Sequence, residues 1–216
     1  MSWVDRLNAN LRGTINRGNE NILESRSGIK ADQNLERLAD LVETVLQNRI
    51  AKIVRLYTKK LFYFQEEECL QMIHLNYHLE NRLLSKIYDL HIEGRVKAVL
   101  PSEIESSDIV FKPGSFFRKK EARFVCRGKT EDWEPIIAQL NDPLITERIQ
   151  QLDLSEVTLQ YLKDEGIWKL SSRSIIGSSV SLMFPPLTRY IAMQPQELIL
   201  LYELYSMIAA ALKHAY

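Results

Sequence analysis

The stretch that decides the fold is residues 34–93, NLERLADLVETVLQNRIAKIVRLYTKKLFYFQEEECLQMIHLNYHLENRLLSKIYDLHIE. Leu35, Leu38, Val42, Leu46, Ile50, Ile53, Tyr57 and Leu61 step by three or four residues, which puts them on one stripe of an α-helix. Asp32 or Asn34 can cap that helix, with Glu36 at its positive end and Lys52, Arg55 and Lys59 toward its negative end. Phe62, Tyr63 and Phe64 interrupt the pattern, and Glu66, Glu67 and Glu68 restart it. A second stripe follows through Leu70, Ile73, Tyr77, Leu84, Ile87 and His91, widened by Leu75, Leu79, Leu83 and Leu90. The spacing therefore predicts a long helical hairpin with coiled-coil-like helices. An apolar surface that broad predicts more than one neighbour, either a protein partner or second copy against Leu75, Leu79, Leu83 and Leu90, or equally the second domain of the same chain.

Outward from this stretch, Met1 to Ala31 is polar. Trp3, Leu7, Leu11 and Ile15 share a helix face among Arg6, Arg12 and Arg17. Four apolar residues bury too little to hold a membrane alone, so residues 1–17 are expected to pack on protein rather than on a bilayer surface. Residues 18–28, GNENILESRSG, read as a loop.

Gly94 is placed to end the second helix, and Pro101 and Lys112-Pro113-Gly114-Ser115 mark turns. Three segments follow: 1–31, a flexible or amphipathic lead; 32–100, a helical domain; and 101–216, a small α+β domain with a largely antiparallel sheet. In the last, Ala122–Cys126 is a strand and 130–140 a helix. Asp142-Pro143 is an N-cap and first-turn pair. Val157, Leu159 and Tyr161 alternate, as do Ile167 and Leu170 around Trp168, with Asp164-Glu165-Gly166 as the turn between them. Val180, Leu182 and Phe184 make a third strand, residues 190–193 a fourth, and Ile176-Gly177-Ser178-Ser179 a loop. A closing helix starts at Pro195, with Leu198, Leu201, Tyr205, Ile208 and Leu212 on one face. The fold class is α+β: an N-terminal helical hairpin followed by a small antiparallel α+β domain.

In 216 residues, the apolar share of 45% and charged share of 26% are those of a globular protein. The net charge of zero gives no whole-protein attraction to nucleic acid or anionic membrane. Cys69 and Cys126 form no CxxC pair, no leader or membrane span is read, and no Asn-x-Ser/Thr sequon occurs. Reduced thiols in an intracellular compartment, cytoplasm or nucleus, are the expectation.

Seven basic residues fall between Lys112 and Lys129. Arg118, Lys119, Lys120, Arg123, Arg127 and Lys129 lie beside Phe116, Phe117 and Phe124, a composition suited to phosphate contact and base stacking. A solvated basic edge next to a core is the competing reading, and no RNP, KH or OB signature accompanies the run. His74 and His78, four apart, share a helix face, but HLNYH lacks the Glu that a zinc hydrolase places after the first His. They are read as structural, and no metal or cofactor is expected. No GxSxG, GxGxxG or P-loop spacing occurs, Asp164 and Glu165 sit in a turn rather than opposed, and no catalytic residue is assigned.

Glu36-Arg37 followed by Arg49-Ile50-Ala51-Lys52-Ile53 resembles the central helix of the GINS family, scaffolding subunits of the replicative helicase complex. In that family an Arg-x-x-Lys-Ile run follows a Glu-Arg pair on a long helix. The acidic Glu66-Glu67-Glu68 fits the start of the next helix. The resemblance covers residues 36–53 and implies a replication-type complex subunit. The expected function is a non-catalytic protein–protein interaction subunit or adaptor with helices as the partner surface. The alternative is a nucleic-acid-associated subunit using residues 118–129.

Overall fold

The computed structural model describes residues 26–97, 108–114, 121–127, 133–182 and 184–214. The helical hairpin is not there. One helix, α1 (Arg26–Leu46), precedes four strands: β1 (Ile50–Leu56), β2 (Lys59–Phe64), β3 (Leu70–Arg82) and β4 (Ser85–Lys97). Then come β5 (Asp108–Lys112), β6 (Arg123–Arg127), α2 (Glu134–Leu140), α3 (Pro143–Gln151), β7 (Leu154–Leu162), β8 (Ile167–Leu182), β9 (Leu187–Tyr190) and α4 (Pro195–His214). The α+β class holds, but residues 50–97 are sheet.

The physical reason lies in the side chains themselves. In Leu75-Asn76-Tyr77-His78-Leu79 and in Tyr88-Asp89-Leu90-His91-Ile92-Glu93-Gly94-Arg95-Val96, apolar and polar residues alternate. An i, i+4 spacing fits a strand as well as a helix, because four is a multiple of the strand period of two. The stripe that looked too wide for a helix drew on both faces of the strands, Leu75, Tyr77 and Leu90 toward the core and Ile87 and His91 on the other side. Ile50, Ile53 and Val54 are β-branched, and Phe62-Tyr63-Phe64 is aromatic, so the local preference also favours strand.

The strands form one antiparallel sheet in the order β1-β2-β3-β4-β8-β7-β5-β6, with β9 pairing β8. β4 bonds β8 through Ser85↔Leu182 and Val96↔Trp168. On its other edge β8 pairs β7 along residues 167–174 and β9 along residues 179–182. Between the two halves, Ile175–Ser178 stand opposite Asp89 alone, where a loop was expected from sequence. This bulge is closed by side chains. The Leu90 amide donates to Ser178 Oγ at 2.8 Å, Ser178 Oγ donates to the Ser174 carbonyl at 2.6 Å, and the Tyr77 hydroxyl donates to the Gly177 carbonyl at 2.6 Å. Gly177 has φ +89°, and a Cβ there would meet Leu90 Cδ2 at 2.6 Å, so glycine is required on both counts.

α1 and α4 lie on one face of the sheet. Leu35, Leu38, Val42 and Leu46 of α1, and Leu198, Leu201, Tyr205, Ile208 and Leu212 of α4, are buried in one cluster with Phe62, Leu75, Leu90, Ile92, Trp168 and Leu170. The stripe of α4 is the one the sequence predicts, starting at Pro195. α1 begins at Arg26, ahead of the expected caps, so Asp32 and Asn34 sit inside it. Asp32 instead accepts the Thr58 amide at 3.1 Å and holds the β1–β2 turn, where Thr58 has φ +61°. Gly94 ends no helix. It lies mid-β4 because a Cβ would come within 2.8 Å of the Tyr205 ring. Asp142 caps α3 as expected, accepting the Leu144 amide at 2.8 Å. Asn141 closes the outer strand by bonding both the amide (2.6 Å) and the carbonyl (3.2 Å) of Phe124.

Candidate functional site

The second face of the sheet carries no helix among the described residues. The pairing registers define three rows of side chains running across it. The first is Leu56–Lys59–Asn76–His91–Arg173–Ser155. The second is Val54–Leu61–His74–Glu93–Ser171–Thr158–Val110–Val125. The third is Lys52–Tyr63–Met72–Arg95–Lys169–Gln160–Asp108–Arg127.

Charge is uneven here. The cations Lys52, Lys59, Arg95, Lys169, Arg173 and Arg127 are set against the carboxylates Glu93 and Asp108. Six positive charges less two negative leave +4 on rows drawn from a chain whose net charge is +0. Glu93 is the hub. Lys169 Nζ lies 3.0 Å and Arg95 Nε 3.4 Å from its carboxylate, and Arg95 also reaches Glu165 at 3.5 Å. Burial pushes the Glu93 carboxyl up, yet the Lys169 charge and hydrogen bond, with His74 and Arg95, hold it below the usual range.

The imidazoles are neutral in this setting. His74, paired across from Glu93, is pushed down to about 4, first by burial and then by Lys59, Arg95 and Lys169, against the pull of Glu93. His91 is also pushed down to about 4, by burial and by Arg173 and His78. The Nε2 atoms of both are buried without a hydrogen-bond partner. Arg173 Nε lies 2.8 Å from the Glu156 carboxylate but off the hydrogen-bond direction, so the pair is ionic only. Burial raises the Asp89 carboxyl, with Arg173 opposing.

The residues expected to bind are scattered by the strands. His74 and His78 still share a face, but four residues of strand separate them by about 13 Å. The His78 ring instead stands 5.4 Å from that of His91. Among the described residues no group of three His, Cys, Asp or Glu is placed to hold a metal ion. Leu75 and Leu90 face the helices and are buried, and Leu79 packs partly against the same core. Leu83 alone of the predicted partner set is fully exposed, in the β3–β4 turn. Arg123 and Arg127 lie exposed on β6, while Arg118, Lys119, Lys120 and Lys129 lie outside the described residues. Sequence reasoning missed Arg95, Lys169 and Arg173, because their convergence depends on the β4–β8 pairing of segments more than 70 residues apart.

Residues 58–212 match the family described as "Protein of unknown function (DUF3156)". The chain belongs to that family. The match opens in the β1–β2 turn and closes in α4, so it takes in β2 to β9 and leaves α1 and β1 outside it. No curated protein and no solved structure shows a significant match to the chain. The Arg49–Ile53 run that resembles the GINS helix begins past the end of α1 and continues into β1. No described helix is long and apolar enough to cross a membrane.

Proposed function

We propose that this member of the family is a non-catalytic interaction protein whose contact surface is the second face of the sheet, and that its partner is an acidic protein segment. The observation that carries the reading is the cationic excess across the three rows, +4 from the row residues and +2 once Glu156 and Glu165, which pair with Arg173 and Arg95, are counted. The helices are unsuited to the role, since α1 and α4 spend their apolar stripes on the core. Lys169 and Arg95 share one carboxylate, Glu93, and an incoming carboxylate would give Lys169 a second partner, as Glu165 already does for Arg95. Val54 and Tyr63, both half-buried, supply apolar ground between the charges, as protein interfaces do. A nucleic-acid platform would present several stacking rings, and of these rows only Tyr63 carries a benzenoid one.

The test is titration of the isotope-labelled chain with an acidic peptide and, separately, with single-stranded DNA, followed by amide shifts. Shifts confined to β2, β3, β4 and β8 with the peptide, weakened about tenfold by Lys169→Glu with Lys59→Glu, are expected. Tighter DNA binding on the same residues would replace the acidic protein with nucleic acid. Shifts on α1 and α4, or none, would overturn the reading.

A further inference from the structure

β3, β4 and β8 end together at one end of the sheet. The last row is Arg82–Ser85–Leu182–Leu187, crossing β3, β4, β8 and β9. Two turns lie beyond it side by side: Leu83–Leu84 between β3 and β4, and the segment carrying Phe184, Pro185 and Pro186 between β8 and β9. Four strands at the usual spacing span about 14 Å, so the two turns form one tip. Leu83 is 90% exposed and Phe184 84%, with Leu84, Leu182 and Leu187 exposed beside them.

This tip stands clear of the core. Tyr88, three residues before the last row, is where the sheet still touches α1, through a 2.9 Å bond between its hydroxyl and Ser27. The strands therefore overhang by about 10 Å. Five large apolar side chains gathered at a projecting end cost solvation and add nothing to folding, which marks a contact surface. Arg82, Lys86 and Arg189 ring the tip within its last three rows, against the single carboxylate Glu80, which Arg82 bridges at 3.1 Å.

We propose that this double-hairpin tip inserts into the interface of a bilayer bearing anionic lipids. The tip is convex, two adjacent turns with leucine and phenylalanine outermost, and a convex apolar end enters acyl chains without a matching groove. Behind it, three cations against one carboxylate complement anionic headgroups at the depth where lysine and arginine stems reach the phosphates. The inference is independent of the sheet-face reading, because no residue of the three rows belongs to the tip.

The experiment is flotation of the full chain with vesicles of phosphatidylcholine alone and of phosphatidylcholine with phosphatidylserine, at low and high salt. Binding is expected to the anionic vesicles and to weaken with salt. Leu83→Ser with Phe184→Ser should lower the partition coefficient about tenfold or more, from the loss of two buried apolar side chains. Lys86→Glu with Arg189→Glu should do the same without touching the apolar tip, and gives an independent reading should the first pair unfold. Lys169→Glu, on the sheet face, should leave vesicle binding unchanged. No flotation with either vesicle, or flotation equal to the original in both folded double variants, overturns the proposal, the latter assigning vesicle contact to another part of the chain. Flotation lost equally in Lys169→Glu would transfer it to the sheet face.

Discussion

Lys60 and Glu36 form an ion pair in which the cation is buried and the carboxylate is not. The Lys60 side chain is 1% exposed and that of Glu36 39%. Lys60 also donates to the Leu56 carbonyl at 3.0 Å and stands 3.7 Å from Asp32. One turn along α1, Asp40 and Glu43 with Glu36 receive Arg55 of β1 at 2.7, 2.6 and 3.0 Å. An acidic stripe of the helix is thus laid on the cations of the first hairpin, and it fixes where α1 docks.

The asymmetry of burial decides which partner matters more. Glu36→Gln leaves a buried ammonium with the Leu56 carbonyl as acceptor and Asp32, at 3.7 Å, as the remaining carboxylate, and is expected to cost about 1–3 kcal/mol. Lys60→Met removes the buried charge and leaves a carboxylate that water can reach, so it should cost less, about 1 kcal/mol or under. Urea unfolding followed by far-ultraviolet circular dichroism measures both. A larger loss from Lys60→Met than from Glu36→Gln would contradict this account of the pair.

Gly94 and Tyr205 are fitted to one another. Tyr205 is buried, shares a 2.8 Å hydrogen bond with Ser172 and donates to the Ile92 carbonyl at 3.2 Å, so its ring is held where a Cβ at position 94 would fall. Gly94→Ala should cost about 1–3 kcal/mol through overpacking. Tyr205→Phe should cost about 1 kcal/mol for the lost hydrogen bonds. Because the phenyl ring is no longer tethered, the double variant should be less destabilised than the two singles summed. Strict additivity in a double-mutant cycle would show that the tether is not what makes the alanine costly.

What the sequence made legible follows from which period was unambiguous. In α4, Leu198, Leu201, Tyr205, Ile208 and Leu212 use steps of three as well as four on one face, which no strand reproduces, and the helix is where it was expected. In α1 the steps from Leu35 to Leu46 are of the same kind. In β3 and β4 the stripe Leu70, Ile73, Tyr77, Leu84, Ile87 and His91 also mixed steps of three and four, and the contrary signal was the alternation Tyr88-Asp89-Leu90-His91-Ile92-Glu93 that it passed over. Gly94 looked like a stop because its need for close approach comes from Tyr205, which is 111 residues away and invisible to local patterning. The cationic face was hidden for the same reason. Arg95 and Lys169 become neighbours only once β4 and β8 are paired.

The half-buried histidines, with their Nε2 atoms shielded from water, make stability fall in weak acid. The His74 pKa is lowered from 6.5 to about 4 in the folded chain. As pH drops through 6.5 the unfolded chain takes up a proton that the folded one refuses, so stability is lost from there down to about pH 4, below which both states are protonated. His91 adds to the loss in the same window. Glu93, held below the usual carboxylate range, loses its contribution only at more acid pH, and Asp89, raised by burial, works in the opposite sense there. His74 alone should remove roughly 2 kcal/mol between pH 7.5 and 5. His74→Asn has no imidazole to titrate and should flatten that part of the profile, while the His91 share persists. Urea midpoints measured at half-unit steps from pH 7.5 to 5 give the two curves. Parallel curves for the original chain and His74→Asn would mean that the imidazole at position 74 titrates alike in the folded and unfolded states.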